Sequence, residues 1–237
     1  AESNVPSGRN GAVTWVDKNG NLWLFGGSGF LDGSGLNGQP INDLWRYDII
    51  NQKWTWMNGE NKWSNDSNTA RFGNWGTKGV EAESNVPSGR HDAVTWVDKN
   101  GNLWLFGGYG FAEGGGISEL RLNDLWKYDI STGYWTWVSG QKTVSNLHLS
   151  GQWGTKGEGL PDNVPSARYE SIGWSDDDGN FWLFGGHGYD YDGTMMRLND
   201  LWRYDISTGY WTWMSGEKDW SSDQSTPLYG VWGTKGI

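Results

Sequence analysis

"AVTWVDKNGNLWLFGG" occupies residues 12–27, and the same sixteen letters return unchanged at 93–108. A looser copy, "SIGWSDDDGNFWLFGG", runs from 171 to 186. Around these copies the chain divides into three units, opening at "NVPSGR" (4–9), "NVPSGR" (85–90) and "NVPSAR" (163–168), with offsets of 81 and then 78 residues. A repeat at this period sets the architecture before any local motif does. Units 1, 2 and 3 are taken as residues 1–81, 82–159 and 160–237. Eighteen of the 20 Trp fall at six matching positions per unit, and only Trp63 and Trp220 stand outside that register.

Inside a unit the pattern predicts four strands. "AVTWV" and "NLWLFGG" are rich in β-branched and aromatic residues and are joined by "DKNG" or "DDDG", which suits a tight hairpin. "DLWRYDI" and "YWTWMSG" form a second hairpin through "STG" in unit 3, with close copies in the other units. No segment sustains an apolar period near 3.6, so little helix is expected. Apolar residues occupy both parities of the first strand, with Val13 and Trp15 on one face and Ala12, Thr14 and Val16 on the other. Such a sheet is expected to be covered on both sides.

A strand ending in Gly-Gly, a variable loop, a Tyr-Asp turn and then a Trp recur in each unit: Gly26-Gly27, Tyr47-Asp48 and Trp54; Gly107-Gly108, Tyr128-Asp129 and Trp135; Gly185-Gly186, Tyr204-Asp205 and Trp211. This pattern resembles the kelch motif, in a long-repeat form similar to the galactose-oxidase group. The resemblance implies an all-β, kelch-type β-propeller with three four-stranded antiparallel blades in this chain. Closed propellers have roughly four to eight blades. Residues 217–237 and 1–8 together match the length of one intact connection between units. Two copies placed head to tail are therefore expected to make a homodimeric ring of six blades; a longer chain with more blades is the competing reading.

Following the strands a to d up and down a blade sorts the connections onto two faces. The a–b and c–d turns are minimal, whereas the b–c loops (28–41, 109–122, 187–198) and d–a loops (60–89, 141–167) are long. Both kinds of long loop are expected on one face, called face X, and long loops in compact domains are often functional. Aromatic residues on that face, Phe30, Trp63, Tyr109, Phe111, Tyr189, Tyr191 and Trp220, together with His187, are the candidate ligand contacts. Arg9, Arg90 and Arg168, and Asp43, Asp124 and Asp200, recur with the scaffold and are expected to bridge strands or blades.

The formal charge of −10 argues against a nucleic-acid surface, which needs clustered cations. No apolar stretch is long enough to span a bilayer as a helix. The absence of Cys removes disulfides, thiolate metal sites and the Cys-linked tyrosyl chemistry that the galactose-oxidase resemblance would imply. His91, His148 and His187 have no His counterparts in the other units and, with Asp190 and Asp192 of "YDYDG", are the weak metal candidates. No cofactor is expected. The functional expectation is a non-enzymatic, secreted or surface-displayed module binding a protein or glycan, with equivalent contacts in each unit. A carbohydrate-active enzyme, which would need one cluster of unlike polar groups, and a purely structural assembly unit are the alternatives.

Overall fold

The computed structural model describes residues 4–30, 38–61, 70–113, 118–143, 149–219 and 234–235. The fold is all-β and antiparallel, with no α-helix among the described residues. Each unit builds a four-stranded arrangement in the order a-b-c-d. In unit 1 the strands are Val13–Val16, Leu22–Phe25, Leu44–Asp48 and Lys53–Asn58. In unit 2 they are Val94–Val97, Leu103–Phe106, Leu125–Asp129 and Tyr134–Ser139. In unit 3 they are Ile172–Ser175, Phe181–Tyr189, Met195–Asp205 and Tyr210–Ser215.

The a–b hairpin is set by its own turn. Asp98 Oδ1 accepts the backbone N–H groups of Asn100 and Asn102, while Oδ2 accepts the Asn102 amide and the Trp104 indole N–H. Asp17 makes the same four contacts in unit 1. The register that follows places Trp on Trp across the strands: Trp15 on Trp23, Trp96 on Trp104 and Trp174 on Trp182. The first Asp of each turn, Asp17, Asp98 and Asp176, is thus spent on its turn and an indole.

Neighbouring units stack through two apolar seams. Trp15, Trp23, Phe25 and Leu44 of unit 1 bury against Leu103, Leu105, Trp126, Tyr128 and Trp135 of unit 2. Val94, Trp96, Trp104, Phe106 and Leu125 repeat the arrangement against Phe181, Leu183, Trp202, Tyr204 and Trp211 of unit 3. Indole N–H groups cross both seams, from Trp15 to the Trp104 carbonyl at 3.0 Å and from Trp96 to the Trp182 carbonyl at 3.3 Å. The a strands of units 1 and 2 pack together, as do those of units 2 and 3. No packing of that extent joins unit 3 back to unit 1 among the described residues. Ile172, Trp174 and Phe184 are consequently exposed where their counterparts in unit 2 are buried.

The long d–a loops depart from the expectation that they stay on face X. Residues 73–86 run along the outer strand of unit 2: Gly79 N–H donates to the Trp137 carbonyl, Ala82 bridges to Trp135, and the Asn85 amide donates to the Trp135 carbonyl. Residues 151–164 do the same to unit 3, with Gly157 on Trp213, Gly159 and Leu160 paired with Thr212 and Trp211, and Asn163 on the Trp211 carbonyl. The physical reason is the outer d strand, whose free N–H and C=O row otherwise faces water and neighbouring chains. Trp75 and Trp153 anchor these segments, their rings 5.0 Å from Trp126 and Trp202 respectively.

Candidate functional site

Beyond each Gly-Gly pair the strands continue into a short upper tier on face X. Gly107 and Gly108 hold φ of 64° and 99°, and Asp92, with φ 54°, lies opposite them between Arg90–His91 and the a strand. Past this break Arg90–His91 pairs with Tyr109–Gly110, which pairs with Leu120–Arg121. In unit 1 the same tier is Arg9–Asn10, Ser28–Gly29 and Gln39–Pro40. In unit 3 it is Arg168–Tyr169 against the ends of the two long strands, with His187 opposite both Tyr169 and Arg197.

The repeated Arg and Asp lock this tier to the sheet below within each unit. Arg90 makes a two-pronged ion pair with Asp124 at 2.7 Å, donates to the Gly107 carbonyl, and both ionic side chains are fully buried. The Trp126 indole N–H adds a further bond to Asp124 at 2.6 Å. Arg168, Asp200 and Trp202 reproduce the set in unit 3, and Arg9, Asp43 and Trp45 in unit 1. Paired planar groups of this kind fix geometry as well as charge.

On that common frame one row of side chains differs from unit to unit. The row reads Asn10, Ser28 and Pro40 in unit 1, His91, Tyr109 and Arg121 in unit 2, and Tyr169, His187 and Arg197 in unit 3. The rings of units 2 and 3 form one chain: His91 to Tyr109 at 5.5 Å, Tyr109 to Tyr169 at 5.4 Å, and Tyr169 to His187 at 5.3 Å. Arg121 lies over Tyr109, Tyr169 and Tyr189. A recess of about 380 Å³ beside the row is lined by Tyr169, Glu170, Gly186, His187, Arg197 and Leu198.

The two histidines are pushed in opposite directions. The Glu119 carboxylate, 3.7 Å from Nε2, raises His91 above its ordinary value against the effect of burial, helped by Asp92 2.7 Å from Nδ1. Burial, and then the positive charges of Arg121 and Arg197, lower His187, whose enclosed Nδ1 has no hydrogen-bond partner among the described residues. One end of the row therefore favours a cation and the other a neutral ring.

The remaining candidates fall in several places. Phe30 and Tyr191 are exposed, and Lys218 Nζ lies 4.4 Å over the Tyr191 ring. Phe111 is a correction: it is 1% exposed, 4.9 Å from Phe72 and beneath Arg71, so it packs the loop and offers no surface. Trp63, His148 and Trp220 lie outside the described residues. Asp190 is buried and caps a turn through the Thr194 N–H, Asp192 is exposed, and the rings of Tyr109 and Tyr169 stand between His91 and His187. Among the described residues no three His, Asp or Glu gather as a metal site. Sequence reading singled out His91, Tyr109 and His187 but missed Tyr169, Arg121 and Arg197, although the contrast with Asn10 and Pro40 at the matched positions of unit 1 was a readable signal.

No family model and no curated protein matches the chain. Among solved structures, one titled "Structure of YjhT" is similar with a TM-score of 0.51 and 15% identity, over 93% of this chain and 54% of that one. The likeness is one of fold, and this chain spans about half the length of that structure.

Proposed function

We propose that the chain is three blades of a kelch-type β-propeller, completed to six by a second copy, and that it works outside the cell as a non-enzymatic glycan-binding module. Its working surface is the row from His91 through Tyr109 and Tyr169 to His187, with Arg121 and Arg197. The observation that carries this reading is where the units diverge: the frame repeats Arg, Asp and Trp contacts, while the row above it changes from small neutral side chains to His, Tyr and Arg. Tyrosine rings present apolar faces to sugar C–H groups, and Arg, His and carboxylates supply the directional bonds that hydroxyl groups require. Equivalent contacts in every unit are not a feature of this row, so one site per chain replaces the repeated sites expected from the sequence. Support for the half-ring comes from the seam between units 3 and 1, which is open among the described residues, and from a fold neighbour nearly twice as long.

Calorimetric titration against a panel of neutral and uronic-acid oligosaccharides tests the function. Tyr109→Ala and Arg121→Ala are expected to weaken binding by about tenfold or more each, since such contacts contribute on the order of 1.4 kcal/mol. Unchanged binding in both variants, or no binding to any member, overturns it in favour of a protein partner. A cluster of unlike polar groups is also what the enzyme alternative requires, so product analysis of the same mixtures decides between them: cleaved or oxidised sugar means catalysis.

A further inference from the structure

Units 2 and 3 each carry on their outer edge a segment supplied by the unit before them, and unit 1 carries none among the described residues. The two covering segments share one pattern, Gly-x-Trp-Gly-Thr-Lys-Gly, at 73–79 and 151–157. The pattern occurs a third time, at 230–236, beyond unit 3. Resting on the two-copy ring proposed above, we infer that residues 230–236 of a second copy cover the outer edge of unit 1, so that the ring is tied by an exchanged segment as well as by stacked blades.

The open edge has the acceptors and the ring faces that the pattern uses elsewhere. In units 2 and 3 the last Gly of the pattern donates to the carbonyls of Trp137 and Trp213, and the Lys lies over those same rings. The corresponding residue of unit 1 is Trp56, which is 40% exposed. Thr136 and Thr212 are buried beneath the segment, whereas Thr55 is exposed. Trp135 and Trp211 are fully buried, whereas Trp54 is only half-buried.

The opening box of each unit gives a second, independent sign. The x residue of the pattern pairs with the Val of the following box, Asn74 with Val86 and Gln152 with Val164, by reciprocal backbone hydrogen bonds of 2.8 and 2.9 Å. Val86 and Val164 are 5% and 6% exposed. Val5, in the box of unit 1, is 62% exposed. The register therefore assigns Val231 of one copy to Val5 of the other, and Trp232 to the ring pair Trp45 and Trp56, as Trp75 lies on Trp126 and Trp137.

Because the chain has no Cys, the pairing is directly testable with single-Cys variants. Val5→Cys and Val231→Cys proteins, mixed under mild oxidation, are expected to yield a two-chain disulfide species at levels neither gives alone, since paired strand residues lie within disulfide reach. In parallel, light scattering compares the full chain with residues 1–229 and with Trp232→Ala. Both changes are expected to raise the dimer dissociation constant by about a hundredfold or more, as loss of a central Trp anchor does. Near-ultraviolet circular dichroism should stay that of folded units. A full-chain dimer that neither cross-links nor weakens on truncation overturns the exchange while leaving the ring standing. A full chain monomeric at every concentration overturns both.

Discussion

The backbone N–H of Gly27 donates to the carbonyl of Arg90 at 2.8 Å, across the seam between units 1 and 2, and Gly108 repeats the contact on Arg168 at 2.9 Å. The Gly-Gly pair is therefore a joint between units, not only the end of a strand. Gly26 sits at φ +65°, and a Cβ built there would lie 2.5 Å from the Arg90 carbonyl oxygen. Gly26→Ala combines left-handed strain with a backbone clash that no side chain can relieve. We expect it to destabilise the chain by about 2 kcal/mol or more, read from urea unfolding monitored by Trp fluorescence. A cost below about 0.5 kcal/mol would mean the seam shifts freely, contrary to this geometry.

The ion pair of Arg90 with Asp124 holds the upper tier to the sheet. Removing one partner leaves a buried guanidinium unpaired and frees the Trp126 indole N–H. Asp124→Ala is therefore expected to cost about 3–5 kcal/mol. Replacing both ions together, by Arg90→Met with Asp124→Leu, should cost distinctly less, because no buried charge is stranded. If the double variant is the worse of the two by thermal unfolding, the pair is contributing more than compensation of charge.

Trp75 stands in a pocket made by another unit, edge-on to Trp137 at 5.6 Å and tilted on Trp126. Trp75→Ala should cost about 3–5 kcal/mol through the cavity it leaves. It should also expose the edge of Tyr134–Ser139, so proteolysis between units 1 and 2 is expected to rise in step. Stability lost without new cleavage there would separate the packing of Trp75 from protection of that edge.

Much of the fold was legible because its causes are local. The Asp98 turn and the two strands it joins, rich in β-branched and aromatic residues, are each specified within a few residues, and the structure has that hairpin as read. The path of the d–a loops was not, because it is decided by partners about 50 residues away: "WGTKG" signals an anchor, but nothing in it names Trp126 or Trp202 as the place. Phe111 illustrates the same limit. It reads as an exposed loop aromatic, yet Arg71 and Phe72 from the preceding connection cover it. The site row was half legible, since His91, Tyr109 and His187 stand out as residue types while Arg121 and Arg197 resemble ordinary surface cations until the register aligns them with the rings.

The opposite shifts at the two ends of that row give a pH signature. His91 is raised by Glu119 and Asp92, so its contribution to folding is fully present below the unperturbed value near 6.5 and is lost as pH climbs through its higher folded midpoint. His187 is lowered by burial and by Arg121 and Arg197, so its contribution is present above about 6.5 and is lost as pH falls through its lower folded midpoint. Near pH 6.5 the row should hold a cationic His91 and a neutral His187 in one protein. Proton NMR of the imidazole Cε1–H resonances, assigned with His91→Gln and His187→Gln, should resolve two titrations on either side of about 6.5. Glu119→Gln should bring the His91 midpoint down and leave the His187 midpoint where it was. A single shared midpoint, or a His187 that moves with Glu119, would mean that the tyrosines between them do not keep the two ends electrostatically apart.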